Sequence, residues 1–499
     1  MDFEITDNID RYYRDYFSKS LAIPDNLGVY HDAFKNVADS GTLDFSGCFE
    51  FIYSNKVNQH DKNQDFSAKL FLLTLEQANL YLNIYNCKPP EQLAFNIENA
   101  LQKVINNDKN LVYFYNSILL LYRIGRVEKA YNLAKANLKV LNNNFMLRCL
   151  LGFIDGVERN WEGAYSNLSD LKDEEIKKIN LANITRLISK FKLGIKEDDS
   201  DQISFETLNN SDFKIEEAEA KLPELKKVKM IDVQDKENPV IFCACNDFYF
   251  FEHFLHLAAS IDEKAQAENQ KYRFHFHLYG KNQTIISNIE NITARFSNID
   301  FGFSYEEIDF SKEDKFSDCA TTYYASIRFL RLHQILRQYK CPIIEVDADA
   351  MLNIKISDFE HLNVLENNSL LSYQKYAPIW EKILATANLF GGDENSARFI
   401  EDVARFISYN FIYKEPLWFI DQIALSLTYE NYLKDGTELN TLESYKIVDK
   451  NHQNNSLFWM VTNNKRAFRK YNAKRESLSA KYRFPENFSA ENLKNVIGS

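Results

Sequence analysis

Pro342-Ile343-Ile344-Glu345-Val346-Asp347-Ala348-Asp349-Ala350-Met351-Leu352 is an apolar stretch carrying two acids separated by one residue. Pro342 to Val346 reads as a short buried strand that delivers those acids at its end. Residues two apart on an extended chain share a face, so Asp347 and Asp349 are placed to converge on one divalent cation. Hard carboxylate oxygens suit Mg²⁺ or Mn²⁺, which commonly completes its shell with phosphate oxygens of a substrate. Such an ion neutralises charge building on a departing diphosphate.

Working outward toward the N-terminus, the preceding element is a helix from Thr322 to Gln338 that carries Tyr323-Tyr324-Ala325-Ser326-Ile327-Arg328-Phe329-Leu330-Arg331-Leu332. Arg328 and Arg331 are one turn apart and lie on nearly one face, and a guanidinium fork suits phosphate. The competing reading of both is a surface or ion-paired arginine. Further upstream, Val240-Ile241-Phe242-Cys243-Ala244-Cys245 reads as a buried strand ending at Asn246-Asp247. A helix over Phe250 to Ile261 follows, then a strand over Phe274 to Gly280, a helix near 282–295 and a strand near 299–304. This alternation predicts an α/β domain with a largely parallel sheet and ligands at the carboxyl ends of its strands. Cys243 and Cys245 read as space-filling. His275 and His277 read as polar-face residues rather than metal ligands, and His253 and His256 as packing or surface groups. Of Phe248-Tyr249-Phe250-Phe251, Tyr249 alone is assigned to base stacking rather than core.

The stretch from Tyr324 through Arg328 to Val346-Asp347-Ala348-Asp349 resembles the nucleotide-sugar glycosyltransferases of the GT-A fold. It is most similar to family eight, the glycogenin and bacterial lipopolysaccharide galactosyltransferase group. Ala387-Asn388-Leu389-Phe390-Gly391-Gly392 resembles the family's Asn-x-Gly strand that lines the sugar pocket. Trp418-Phe419-Ile420-Asp421-Gln422-Ile423-Ala424-Leu425 resembles its Asp-Gln-x-x-Leu helix start, and Asn246-Asp247-Phe248-Tyr249 resembles its base-holding Asp-x-x-Tyr segment. The resemblance covers about 237–475. It implies a nucleoside-diphosphate sugar donor, a glycan or protein acceptor, and Mn²⁺ or Mg²⁺ held by Asp347 and Asp349. It further implies Asn246, Asp247, Tyr249, Arg328, Asn388 and Lys465 in donor binding, and Arg328, Asp421 and Gln422 in the catalytic role. The family's closing His-x-x-Gly-x-x-Lys-Pro-Trp has no counterpart with Gly and Pro in place. His452 therefore reads as a surface residue, and Lys465 or Arg466 as the substitute for the diphosphate-binding Lys.

The first part of the chain has a different pattern. Helical spacing runs over Ser67 to Tyr85, Glu91 to Ile105, Leu111 to Tyr122 and Val127 to Leu141. Ala130 and Ala164 lie 34 residues apart, each opening a helix after a turn, and Leu151-Gly152 precedes Ala164 by about a dozen residues. This resembles the tetratricopeptide repeat, in units 111–144 and 145–178. Residues 196–236 are polar and acidic and read as a linker with one helix across 214–229. The expected organisation is a helical-repeat domain at 1–195, the linker at 196–236, a GT-A domain at 237–485 and a tail at 486–499.

Composition narrows the partners. The chain has 499 residues, is 45% hydrophobic and 26% charged, and has a net charge of −12, which is globular and disfavours nucleic acid as a whole-protein partner. Seven scattered cysteines without a Cys-x-x-Cys pair fit free thiols in a reducing compartment. The acidic start lacks a signal-peptide pattern, and no apolar run is long enough to span a bilayer, so a cytoplasmic protein is expected. Two other functions compete with sugar transfer. A haloacid-dehalogenase-like phosphatase using Asp347 also places Asp-x-Asp at a strand end, but with Thr or Val where Met351 stands. A non-enzymatic repeat scaffold would use the helices to bind a protein partner.

Overall fold

The computed structural model describes residues 71, 74, 75, 78, 89–107, 112–139, 145–209, 212–308, 319–366, 368–374, 377–450, 452, 455–461, 469–484 and 489. Most of the helix expected over 67–85, Lys465, Arg466 and nearly all of the tail at 486–499 lie outside these residues. Two compact units are formed, residues 1–196 with 376–378, and residues 197–375 with 379–499.

The first unit is helical among its described residues: α1 (Glu91–Asn107), α2 (Val112–Arg123), α3 (Val127–Asn137), α4 (Phe145–Val157), α5 (Trp161–Leu168) and α6 (Asn180–Lys192). Helix α2 packs on α1 and α3, and α4 packs on α5 and α6. Gly125, with φ 88°, supplies the left-handed step between α2 and α3. Arg126 then ties the start of α3 back to Glu91 (2.7 Å) and Glu98 (2.8 Å) of α1. Ala130 and Ala164 are fully buried. Gly152 on α4 lies so close to Leu168 on α5 that a Cβ there would overlap the leucine side chain. Of the small-residue positions read from the sequence, Gly152 thus sits at a close helix–helix contact. Asp155 on α4 joins neighbours by accepting from Tyr131 on α3 (3.0 Å), Asn160 (3.0 Å) and Asn167 on α5 (3.0 Å).

The second unit is α/β. Its strands are β1 (Lys226–Lys229), β2 (Val240–Asn246), β3 (Tyr272–Tyr279), β4 (Ile299–Glu306), β5 (Ile343–Val346), β6 (Ala350–Leu352), β7 (Leu370–Tyr373), β8 (Ala387–Phe390), β9 (Asn440–Glu443), β10 (Val448–Asp449) and β11 (Phe458–Met460). Eight of them form one sheet in the order β1-β4-β3-β2-β5-β8-β7-β9, and β10-β11-β6 form a small second sheet. Strands β4, β3, β2 and β5 are mutually parallel, as the alternation of strands and helices requires. The other half corrects the expectation of a largely parallel sheet: β8 runs antiparallel to β5 and to β7, so the sheet is mixed. Helices α7 (Leu255–Glu268), α8 (Gln283–Thr293), α9 (Ala320–Ser326), α10 (Arg328–Tyr339), α11 (Glu394–Tyr413), α12 (Ile420–Lys434) and α13 (Arg469–Tyr482) complete the unit. The single helix expected over 322–338 is broken at Ile327 into α9 and α10.

The acidic stretch after residue 196 does not run as a free connector. Ile203, Phe205, Phe213, Ile215, Ala218 and Leu222 are buried, Asn410 of α11 holds the Ser204 amide and carbonyl (2.7 and 3.0 Å), and β1 pairs with β4. Its few apolar residues are spaced to reach this surface, while most of its acids are exposed or half-buried and Asp201 is buried, accepting from the Asp198 amide (2.8 Å). The helix expected across 214–229 spans only Ile215–Lys221 before the chain turns into β1.

Candidate functional site

Strand β5 is buried at all four positions. Beyond Val346 the chain turns, with the Ala350 amide bonded to the Asp347 carbonyl (3.2 Å), and resumes as β6 in the other sheet. Asp347 and Asp349 stand at this fork, where one strand leaves the main sheet for the small one. The Asp347 side chain is 24% exposed, whereas Asp349 is buried.

Arg328, the first residue of α10, is aimed at the same point. Its buried guanidinium pairs with Asp347 and donates to the Ala385 carbonyl. Glu345 Oε1 lies 3.3 Å away and Asp421 Oδ2 3.7 Å away. Three carboxyl groups, from β5, from its end and from the start of α12, thus surround one guanidinium. Burial raises the Glu345 carboxyl well above its usual range, with Asp347 and Asp421 adding repulsion and Arg328 opposing. Burial likewise pushes Asp421 up to about 6, against the pull of Arg328 and the Gln422 amide, which donates to Asp421 Oδ1 at 2.9 Å. Phe419 enters α12 at φ 81°, a left-handed conformation that costs a bulky residue of order 1–3 kcal/mol and recurs at functional sites. Gln422 keeps its side-chain oxygen buried with no hydrogen-bond partner. Beyond Asp421, Glu381 is fully buried with neither oxygen hydrogen-bonded. Burial first and Asp421 second raise its carboxyl well above the usual range.

The end of β2 is the second part of the site. Asn246 caps the helix that follows by accepting from the Tyr249 amide (3.0 Å). Asp247 accepts from the Asn282 side chain (3.2 Å), and the Tyr249 ring lies 5.3 Å from His253. Tyr324 of α9 reaches the same end, where Asn246 hydrogen-bonds its hydroxyl. The helix begins with one turn at Asp247–Tyr249 and a π-turn at Phe250–Phe254 before α7. A π-turn displaces backbone groups from the regular ladder and often marks functional sites.

Other sequence-read residues are placed differently. Asn388 is fully buried in β8, accepting from the Ser372 amide (3.0 Å) and donating to the Leu384 carbonyl (2.7 Å), so its side chain braces the sheet. Arg331 is buried and bonds Glu306 through Nε (2.6 Å) rather than the Asp347 fork. His275 contacts Tyr339 (2.6 Å) and Ser304 (2.8 Å), and His277 contacts Ser304 (2.9 Å). Burial lowers both imidazoles, His275 to about 3, so they are neutral core groups. His452 corrects the surface reading: it is fully buried. Its Nε2 meets the Met460 carbonyl at 2.8 Å, which puts the proton on Nε2 and the lone pair on Nδ1. Sequence reasoning missed Glu345, Glu306 and Glu381. The signal for Glu345 was an acid within an apolar strand.

Among the described residues no group of three or more His, Cys, Asp or Glu is arranged to hold a metal ion. Asp347 and Asp349 supply two hard oxygen donors, the usual protein share for a Mg²⁺-type ion that takes the rest from phosphate and water. By type these two donors suit such an ion when a phosphorylated substrate is present.

No family model matches the chain, and no curated protein matches it. Among solved structures it is similar to the galactosyltransferase LgtC in complex with donor and acceptor sugar analogues, at 13% identity over 51% of this chain and 99% of that one, with a TM-score of 0.34. It is similar to mouse xyloside xylosyltransferase 1 at 11% identity over 46% of this chain and 100% of that one, TM-score 0.29. It is similar to the bifunctional glycosyltransferase WbbM at 12% identity over 83% of this chain and 80% of that one, TM-score 0.31.

Proposed function

We propose that the second unit is a GT-A-type glycosyltransferase. It transfers a sugar from a nucleoside-diphosphate donor to a glycan or protein acceptor, and the helical unit, a tetratricopeptide-like array, assists acceptor or partner binding. The observation that carries this reading is the carboxylate fork at the end of β5, with Asp347 and Asp349 beside the buried guanidinium of Arg328. Three acids around one arginine leave an excess of negative charge. A diphosphate would be repelled unless a cation accompanies it. Asp347 and Asp349 would hold Mn²⁺ or Mg²⁺, and when bound the ion supplies Lewis-acid neutralisation of the leaving diphosphate.

The chain's own groups divide the remaining work. Asn246, Asp247 and Tyr249 at the end of β2 flank the nucleotide, as ligands at the carboxyl ends of parallel strands do. Arg328 keeps the carboxylates apart and is the fixed positive charge nearest the departing phosphate oxygens. Asp421 accepts from hydroxyls of the donor sugar. The Gln422 side-chain oxygen, unpartnered in the buried mouth of the site, is an acceptor for a second hydroxyl. The bond from the anomeric carbon to the diphosphate oxygen breaks as the acceptor oxygen or nitrogen bonds that carbon, and the acceptor's proton leaves with the diphosphate or solvent.

The test is a thermal-shift titration of UDP, GDP, ADP and their sugars with and without Mn²⁺, on the unsubstituted chain and on the double variant Asp347→Ala, Asp349→Ala. A ligand that binds the folded state raises its melting temperature. At least one nucleotide is expected to stabilise the unsubstituted chain only with Mn²⁺, and the double variant is expected to lose that shift and to lower donor hydrolysis by at least about a hundredfold. Unchanged metal-dependent stabilisation in the double variant would remove the basis for the reading.

A further inference from the structure

Helix α13 carries none of the motifs quoted from the sequence, yet one of its faces binds both halves of the site. Tyr471 is buried, and its hydroxyl donates to the main-chain carbonyl of Asp349 at 2.8 Å. One turn on, Lys474 Nζ reaches the Leu352 carbonyl at 3.2 Å. Arg475 donates to the Glu252 carbonyl in the π-turn after β2 (2.6 Å), to the Glu252 side chain (2.9 Å) and to His256 Nδ1 (3.3 Å). The Tyr471 ring also packs against His452, with centroids 5.2 Å apart. A buried tyrosine hydroxyl commonly finds some acceptor. Here the acceptor is the backbone of the second acid, at the point where the chain passes from one sheet to the other and where no strand ladder fixes its carbonyl.

We propose that Tyr471 is a positioning residue for the proposed cation site: its hydroxyl fixes the peptide of Asp349 and so holds the Asp349 carboxylate in place for an ion shared with Asp347. The inference rests on the metal-dependent reading given above. Losing the hydrogen bond lets the turn rotate, and the second carboxylate then meets the ion at a conformational cost. Partners that orient metal ligands are typically worth 10–100-fold in metal affinity. A bond to the ligand's backbone belongs at the lower end, about tenfold.

The experiment follows free Mn²⁺ by electron paramagnetic resonance while the full chain is titrated, once with Mn²⁺ alone and once with UDP present. Tyr471→Phe keeps the ring and its packing and removes only the hydroxyl. It is expected to weaken Mn²⁺ binding about tenfold while leaving the melting temperature of the ligand-free protein nearly unchanged. Lys474→Met loosens the same helix without touching Asp349 and is expected to bind Mn²⁺ like the unsubstituted chain. Unaltered Mn²⁺ binding in Tyr471→Phe overturns the inference, and so does an equal loss in both variants, which would mark a loosened helix. Asp349→Asn separates the two levels. If it too leaves Mn²⁺ binding unchanged, the metal reading falls and takes the role of Tyr471 with it. If it abolishes binding while Tyr471→Phe does not weaken it, only the role of Tyr471 falls.

Discussion

Arg328 carries one positive charge among Glu345, Asp347 and Asp421, and this imbalance sets the pH behaviour of the site. Asp421 ionises near 6 rather than at its ordinary 3.8, because burial outweighs the attraction of Arg328. If Asp421 accepts sugar hydroxyls as proposed, the carboxylate that does so forms only as the pH rises through about 6. Donor hydrolysis is expected to increase from pH 5 to pH 7 with an inflection near that value. Asp421→Asn should lower kcat/KM about a hundredfold and flatten the profile. A wild-type profile that is level through this range, or an inflection that survives in Asp421→Asn, would assign the titration elsewhere. At this scale the sequence exposed Asp347, Asp349, Arg328 and Asp421 because each sits in a recognisable local pattern. Glu345, Glu306 and Glu381 escaped notice because whether an acid is buried depends on partners from other elements. Tyr471 left no local signal at all, since its partner is 122 residues away.

Elements were legible in proportion to their length and to how local their contacts are. The eight-residue strands Tyr272–Tyr279 and Ile299–Glu306 show their alternation. The four-residue strands Leu370–Tyr373, Ala387–Phe390 and Asn440–Glu443 are too short to show a period, and non-local pairing decides their direction. That is why the antiparallel half of the sheet did not appear in the reading. In the helical unit the signal was a single small residue. Ala at Gly152 would gain about 1 kcal/mol of helix propensity. The contact with Leu168 leaves no room for the added methyl, and overpacking of this kind costs about 1–3 kcal/mol. Gly152→Ala is therefore expected to destabilise the helical unit on balance in a urea titration, and Leu168→Ala in the same chain should relieve the overlap. A stabilised single variant would mean that α4 and α5 part at little cost. The same arithmetic explains why Gly152 was readable: it occupies a position that an added methyl would crowd.

At the scale of the whole molecule, a net charge of −12 does not favour an anionic ligand, so the proposed donor would have to be recognised locally. The fork between the two sheets supplies such a place. It gathers side chains or backbone from β2, β5, α10, α12 and α13 around one corner of the second unit, and under the proposed reading its carboxylates would hold a divalent ion that arrives with the phosphates. The most direct measurement is a crystal grown or soaked with UDP and Mn²⁺, with diffraction recorded at the manganese edge. The account predicts an anomalous peak bounded by the carboxylates of Asp347 and Asp349, with both phosphates of the nucleotide on its far side and the base against Tyr249. A nucleotide bound away from the end of β5, or one bound there with no manganese peak between these two acids, would contradict it.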